Sequence, residues 1–250
     1  MRCEVVAIGT ELLLGQITDT NSSWIGAELA LAGIDSHYQT KVGDNLERMV
    51  ESIRQALARS DAVITCGGLG PTQDDITREA ICEVMGVHLV HQPAIADRIR
   101  QIFESRGRSM PANNLRQADV PEGASAIPEQ PGTAPGLVCP MGDKVIYADP
   151  GVPHEMRVMM RGTILADLKR RAGLSAVIKS RVLRTWGHSE SRLAELLSER
   201  ITALDETGNP TLAFQASGIE GIKVRITAKA DDEDAAAKLI AEEEARVRNI

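Results

Sequence analysis

Residues 61–86 read DAVITCGGLGPTQDDITREAICEVMG. A short apolar run, DAVITC, meets Gly67, Gly68, Gly70 and Pro71, then the adjacent acids Asp74 and Asp75, then an amphipathic stretch. The pattern predicts a strand over 61–66, a tight loop, and a helix over 75–86. A strand that passes through glycines into a helix start brings unpaired N–H groups and the positive end of a helix dipole to the mouth of a sheet. That order is the signature of an α/β layer.

The same alternation extends upstream. EVVAI (4–8) reads as a buried strand, and NSSWIGAELALA (21–32) as a helix with Asn21 or Ser22 as its cap and Gly33 as its stop. DSHYQTKV (35–42) reads as a strand. A helix follows over 45–59, where Leu46, Met49, Val50, Ile53 and Leu57 recur on one face. Three strand–helix units in succession predict a mostly parallel sheet covered by helices. In such sheets ligands bind beyond the carboxyl ends of the strands. Each of the three strand ends carries an acid: Glu11 and Asp19 after the first, Asp44 after the second, Asp74 and Asp75 after the third.

Downstream, a helix is expected around 92–106, then a Pro- and Gly-rich loop ending in EQPGTAPG (129–136), and two short strands, LVCP (137–140) and KVIYAD (144–149). PGVPHEM (150–156) opens a further helix, with Pro153 at a helix start, where a missing N–H costs nothing. The pattern changes near 172–175, so a first domain is placed at 1–172 and a second, small α+β domain at 175–250. The second domain reads as a strand (176–186), a helix SESRLAELLSERI (189–201) capped by Ser189 or Glu190, and strands TLAFQA (211–216) and GIKVRITAK (221–229) joined as a hairpin by SGIEG (217–221). A last helix starts near Asp231 and is still periodic at Ile250, which suggests that a further segment once followed it.

Composition narrows the function classes. The net charge is -7 and only six aromatic residues occur, so neither a polyanion nor a base-stacking platform is favoured, and nucleic acid is an unlikely partner. Four scattered cysteines show no zinc spacing and read as reduced thiols of a cytoplasmic protein. The start MRCEVVAIGT shows no leader pattern, and no uncharged apolar stretch is long enough to span a membrane.

Two readings of the glycine loop stand side by side. It is either a turn with a helix-capping aspartate, or a phosphate site whose paired carboxylates hold a divalent cation through hard oxygen ligands. A Walker loop is excluded because Gly70, Pro71 and Thr72 stand where Gly-Lys-Ser/Thr would be. A dinucleotide fingerprint would follow the first strand, where GTELLLG stands instead. REAICEVMG (78–86) resembles half of a Nudix box but has Cys82 and Met85 at required glutamate and glycine positions, so it reads as an ordinary amphipathic helix.

GTELLLGQITDTN (9–21), GGLGPTQDDITREA (67–80), RGRSMPANNLRQA (106–118), GTAPG (132–136) and PGVPHEM (150–156) resemble, in order and at similar spacing, the motifs of the competence/damage-inducible CinA family. The resemblance implies a three-layer, mostly parallel molybdopterin-binding (MoCF) fold for residues 1 to about 170. It also implies a small KH-type domain, whose start LRTWGHSESRLAELL (183–197) resembles. The activity it implies is a metal-dependent ADP-ribose pyrophosphatase acting on a nucleotide-diphosphate small molecule. A homodimer is expected, and no membrane partner. The cation would be magnesium, manganese or cobalt. The family's nicotinamide mononucleotide deamidase lies in a separate C-terminal domain that is not in this chain, so that activity is not expected. The alternative within the same fold is a molybdopterin- or nucleotide-binding module without turnover.

Carried over by position, the resemblance implies catalytic roles for Asp44, Asp74 and Asp75, with Asp44 and Asp75 as metal ligands. It implies substrate contacts from Thr10, Glu11, Asp19, Asn21, Gly67, Gly68, Gly70, Thr72, Gly132, Thr133 and Gly136. In chemical terms the loop amides would hold phosphate oxygens while a carboxylate such as Asp74 takes the proton of the attacking water. Which aspartate serves as ligand and which as base is open at this level. GHSE (187–190) is not a GXXG loop, so the second domain reads as a packing or dimer-forming module. His154 and His188, lacking partners, read as surface or helix-end residues.

Overall fold

A computed structural model describes residues 1–174, 177–216 and 221–250. The chain divides into two compact units, Met1–Ala172 apart from Leu31–Gly33, and Gly173–Ile250 together with those three residues. The first unit contains, in order, β1 (Cys3–Ile8), α1 (Thr10–Leu13), α2 (Thr20–Leu31), β2 (Gln39–Val42), α3 (Leu46–Arg59), β3 (Ala62–Cys66), α4 (Thr77–Met85), β4 (Leu89–His91), α5 (Pro93–Ser105), β5 (Asp119–Pro121), β6 (Ser125–Ala126), β7 (Leu137–Met141), β8 (Lys144–Asp149), α6 (Pro153–Met159) and, after a wider turn, α7 (Leu165–Arg171).

The main sheet has the order β2-β1-β3-β8-β7-β6. Its first four strands are parallel, and β7 and β6 run antiparallel at one edge. The chain leaves β1 to one side for β2 and returns to the other side for β3, so strand order reverses between β1 and β3. Loops leaving two such strands diverge and open a crevice at their carboxyl ends.

The side chains alternate between the two faces of the sheet. Val6, Ile8, Val63, Ile146 and Ala148 pack with Met49, Val50, Ile53 and Leu57 of α3 and Ala80 and Ile81 of α4. On the opposite face Tyr147 donates to Asp167 of α7 at 2.5 Å, and Asn21 of α2 meets Cys66 of β3 at 3.4 Å. The result is three layers, as the alternating pattern predicts. All four cysteines are free and buried.

Local chemistry explains the element ends. Asn45 caps α3, its side chain accepting from the Arg48 N–H at 3.1 Å. Asp19, not Asn21 or Ser22, caps α2: its carboxylate accepts from the Ser22 N–H at 2.9 Å. A carboxylate three residues before the receiving N–H competes better than the neutral side chains after it, because the helix start favours negative charge. The strand expected over 35–42 is regular only from Gln39, with a single bridge between Arg2 and Asp35 before it.

The second unit is an antiparallel sheet, β10-β11-β9, formed by β9 (Val177–Arg184), β10 (Thr211–Ala216) and β11 (Ile222–Ala230). With it pack α8 (Glu190–Leu196), α9 (Ser198–Thr207) and α10 (Glu233–Asn249), around Leu183, Leu197, Val224, Ile226 and Ile240. The single helix expected over 189–201 is two, broken at Leu197, which turns inward to the core and is 2% exposed. Ser189 caps the first. Glu243 is fully buried and held by Arg200 through two bonds of 2.7 Å and by Arg246 at 3.1 Å. The hairpin expected at 217–221 falls on 217–220, outside the described residues. Among the described residues no helix is long and apolar enough to cross a membrane.

Candidate active site

The loop after β3 is held by the carbonyls of Gly67, Gly68, Leu69 and Gly70. The Gly67 carbonyl accepts from the Thr77 hydroxyl at 2.8 Å, and the Gly68 carbonyl from the Thr77 N–H at 3.2 Å. Arg78, only 1% exposed, donates to the Leu69 carbonyl at 2.7 Å and the Gly70 carbonyl at 3.0 Å. Gln117 adds a second donor to the Leu69 carbonyl at 3.2 Å. Burying a guanidinium is costly unless its donors are used, so Arg78 anchors the loop from beneath. Arg116 spans the far side, bonding the Thr72 carbonyl and, at 2.8 Å, Glu79. The motif RGRSMPANNLRQA thus contributes braces for a loop some forty residues earlier in the chain.

Gly67 and Gly68 adopt left-handed φ of 112° and 67°. A Cβ on Gly67 would strike the Ile8 carbonyl at the end of β1, and one on Gly68 the Thr77 hydroxyl, so these positions require glycine twice over. With the carbonyls turned inward, the Gly68 and Leu69 N–H groups make no hydrogen bond among the described residues. Both residues line a cavity of about 390 Å³, within the size range of small-molecule sites.

Asp75 closes the loop. One of its oxygens accepts from the Gly70 N–H at 2.8 Å, the other from the Thr72 N–H at 2.8 Å and from the Thr72 hydroxyl. Asp44 does similar work after β2, accepting from the Thr10 N–H at 2.8 Å while its own N–H donates to the Thr10 hydroxyl at 3.2 Å. This reciprocal pair ties the first strand's loop to the second's.

Of the residues singled out in the sequence, Glu11, Asp44, Gly67, Gly68, Gly70, Asp74, Asp75 and Thr133 line the one cavity. Asp19 and Asn21 line a second, of about 180 Å³, which shares Ile8, Glu11 and Gly151 with the first. Thr10 and Thr72 stand behind the lining as partners of Asp44 and Asp75. Gly136 is a packing glycine: a Cβ there would meet Met159 and Ile127, and its carbonyl accepts from the Ile127 N–H.

Gly132 makes room for a residue the sequence reading passed over. A Cβ at Gly132 would occupy the space of the Glu155 carboxylate, and Glu155 lines the cavity. Burial pushes the Glu155 carboxyl above the usual range, only partly offset by His154 and Arg106. Asp74 is exposed, and the Thr72 hydroxyl, its own backbone N–H and Arg116 hold its carboxyl below that range. The available signal for Glu155 was its place in PGVPHEM, two residues into a helix at a strand's carboxyl end. His154 beside it is exposed.

Asp149, the last residue of β8, is also new. It is fully buried, in register with Cys66, and neither of its oxygens has a hydrogen-bond partner of ordinary geometry among the described residues. Burial raises its pKa to about 8, with the Cys66 thiol pulling weakly the other way.

Five carboxylates, from Glu11, Asp44, Asp74, Asp75 and Glu155, thus line the first cavity, and no basic side chain does among the described residues. Asp44 and Asp75 do not form a ready metal cage. Both oxygens of Asp75 and one of Asp44 are engaged by backbone N–H groups. Among the described residues no three His, Cys, Asp or Glu side chains gather closely enough to hold a metal ion.

A strand-order reversal, a glycine loop with free amides and a crevice lined by acids define the class: an α/β domain of the molybdopterin-binding type. Residues 4–170 match the family model described as "Probable molybdopterin binding domain", and residues 180–250 match the "Damage-inducible protein CinA KH domain". The chain belongs to the CinA family. It is 46% identical to a CinA-like protein of Frankia casuarinae over 99% of its own length and 58% of that protein. It is 45% identical to a CinA-like protein of Gloeobacter violaceus over 99% and 57%. The chain therefore spans under three fifths of these relatives. A crystal structure of a CinA protein with unknown function from Thermoplasma acidophilum superposes with a TM-score of 0.61 at 32% identity, covering 65% of this chain and 95% of that one.

Proposed function

We propose that the first unit binds a nucleotide diphosphate as its divalent-cation complex and hydrolyses the pyrophosphate bond, with ADP-ribose as the substrate class. The observation that carries this reading is the pair of free amides, Gly68 and Leu69, in a cavity ringed by five carboxylates. Amides at a loop that leads into a helix suit phosphate oxygens. The ring of acids repels a bare diphosphate, so the substrate enters with its charge neutralised by magnesium, manganese or cobalt. The cation arrives as part of the substrate, since the described residues hold no prebuilt cage for it.

The protein's own groups then divide the work. The Gly68 and Leu69 N–H groups hold a non-bridging oxygen, where charge builds as water attacks phosphorus. Glu155, its carboxyl pushed up by burial, is a better proton acceptor than Asp74, whose carboxyl is held low. The water's proton passes to Glu155, the bond from phosphorus to the bridging oxygen breaks, and AMP and ribose 5-phosphate leave. Asp75, Asp44, Arg78 and Gln117 keep the loops in place and touch no reacting atom.

Purified protein incubated with ADP-ribose and each of the three cations should release AMP. Absence of AMP with all of them sinks the hydrolytic reading. The second reading, a molybdopterin- or nucleotide-binding module without turnover, is favoured by the family model's own description, and calorimetric titration with a pterin phosphate tests it.

A further inference from the structure

The helix that carries Glu155 widens beyond α6. Over Met160–Ile164 the backbone follows the π pattern: the Leu165 N–H donates to the Met160 carbonyl, five residues back rather than four. Such turns are rare and put one extra residue into a helix. Here Gly162 and Thr163 meet one carboxylate from another segment. The Thr163 hydroxyl donates to the Glu129 Oε2 at 2.5 Å, and a Cβ at Gly162 would lie 2.5–2.7 Å from the Glu129 side chain.

Glu129 opens the segment whose later residues reach the cavity. Arg98 of α5 donates to the next carbonyl, that of Gln130, at 3.4 Å. Gly132 follows, buried and with no room for a Cβ against the Glu155 carboxylate. Thr133 and Ala134 then line the cavity that Glu155 also lines. One side of Glu155 is therefore covered by a loop whose near end is tied to the same helical segment, about two turns further on. Glu129 makes no ion pair among the described residues. The adjacent Arg161 pairs with Glu28 at 3.2 Å and lies over the Trp24 ring at 5.1 Å. A half-buried carboxylate that accepts one hydroxyl adds little to stability, so its worth lies in where it holds the loop.

We propose that Glu129 and Thr163 form a clasp that positions Glu155: by tying residues 129–133 to the wide turn, they keep Gly132 against the Glu155 carboxylate and hold that carboxylate, partly covered, at the cavity wall. The kinetic consequence rests on the reading of Glu155 as the proton acceptor. The positioning does not.

Burial is the largest influence on Glu155, opposed by His154 beside it on α6 and by Arg106 after α5. The other acids of the cavity wall are Glu11, Asp44, Asp74 and Asp75. Releasing the clasp lets water reach Glu155, removes part of the burial, and moves its proton affinity down toward that of an ordinary carboxylate. A weaker and less well aimed base then works from a lower pH, but more slowly.

Two variants release the clasp by different routes. Thr163→Val deletes the hydroxyl at constant shape and charge, and Gly162→Ala displaces Glu129 with a methyl group while keeping helix propensity. Carboxyl-carbon NMR reads the titration directly, the Glu155 signal being assigned by its loss in Glu155→Gln. In both variants the Glu155 midpoint should fall by about half a pH unit or more. With magnesium present, kcat for ADP-ribose should drop about tenfold while KM changes less than about twofold. Thr163→Ser, which keeps the hydroxyl, should match the parent in both measurements. The proposal is overturned if the midpoint is unmoved in Thr163→Val and Gly162→Ala, or if Thr163→Ser behaves as Thr163→Val does. A midpoint that falls while kcat holds, or a parent protein that releases no AMP, would instead defeat the hydrolytic role of Glu155 and leave the clasp standing.

Discussion

Two buried carboxyls mark opposite ends of the same sheet. Glu4, near the start of β1 and 1% exposed, has both oxygens matched: Arg59 donates to them at 2.8 and 2.6 Å, and the Thr40 hydroxyl adds a third bond at 3.0 Å. Asp149, at the finish of β8 and fully buried, has neither oxygen matched among the described residues. At the amino ends of the strands Glu4, Arg59 and Thr40 spend their polar groups on one another, the guanidinium of Arg59 also stacks on Tyr38 at 3.8 Å, and the buried Ser36 hydroxyl alone lacks a partner there among the described residues. At the carboxyl ends polar capacity is left over: Asp149, the Asn21 oxygen, and the Gly68 and Leu69 amides. Unmatched buried groups are rare in folded proteins because each costs stability. Their greater number at the carboxyl ends marks that side of the sheet as the one with polar groups to spare.

The sharpest break in that contrast comes from Glu155→Gln. It should lower kcat for ADP-ribose by about 10²–10⁴-fold, the usual worth of a general base, with thermal stability unchanged. A kcat within twofold of the parent would remove Glu155 from the reaction. Next, Arg78→Met leaves the Leu69 and Gly70 carbonyls without their charged donor; denaturant unfolding should show a loss of about 3 kcal/mol. Unchanged stability would mean that the loop is not anchored from beneath.

At the sealed end, Glu4→Gln weakens the bonds to Arg59 and should cost about 2 kcal/mol with kcat unaltered in the folded protein. An effect on kcat would blur the division between the two ends. A further test concerns pH. Asp149 binds its proton more tightly folded than unfolded, so its contribution is fully present below about pH 4, and is lost as pH rises to about 8. Across that window stability should fall by at most about 1.4 kcal/mol per pH unit, and Asp149→Asn should flatten the decline. A parallel slope in the variant would show that Asp149 is not the group responsible.

The elements that local chemistry specifies were legible in the chain. Strand 62–66, the glycine loop and the helix after it follow from adjacent residues, and so do the acids at three strand ends. Asp19 was legible as an acid but not as the cap of α2, since Asn21 and Ser22 offer competing caps within two residues. The break at Leu197 was hidden because SESRLAELLSERI has one continuous helical period. Arg78 looked like an ordinary helix residue, and only the packing of the loop above it shows that its charge is buried. Glu155 and Asp149 lie some eighty residues from the loop they face, in a segment whose helix start was clear and whose target was not.

The sequence by itself determined the alternation of strand and helix, the tight glycine turn and the acidic character of one sheet edge, because these depend on residues within a turn or two of each other. Only the tertiary structure decided that Glu155 shares the cavity with the glycine loop, that Asp44 and Asp75 spend their oxygens on backbone, and that Asn21 keeps one oxygen unmatched. Those facts follow from strand order, from the register that sets Cys66 beside Asp149, and from how closely one backbone approaches another at Gly67 and Gly132. Periodicity carries no information about any of these, since they arise between segments far apart in the chain.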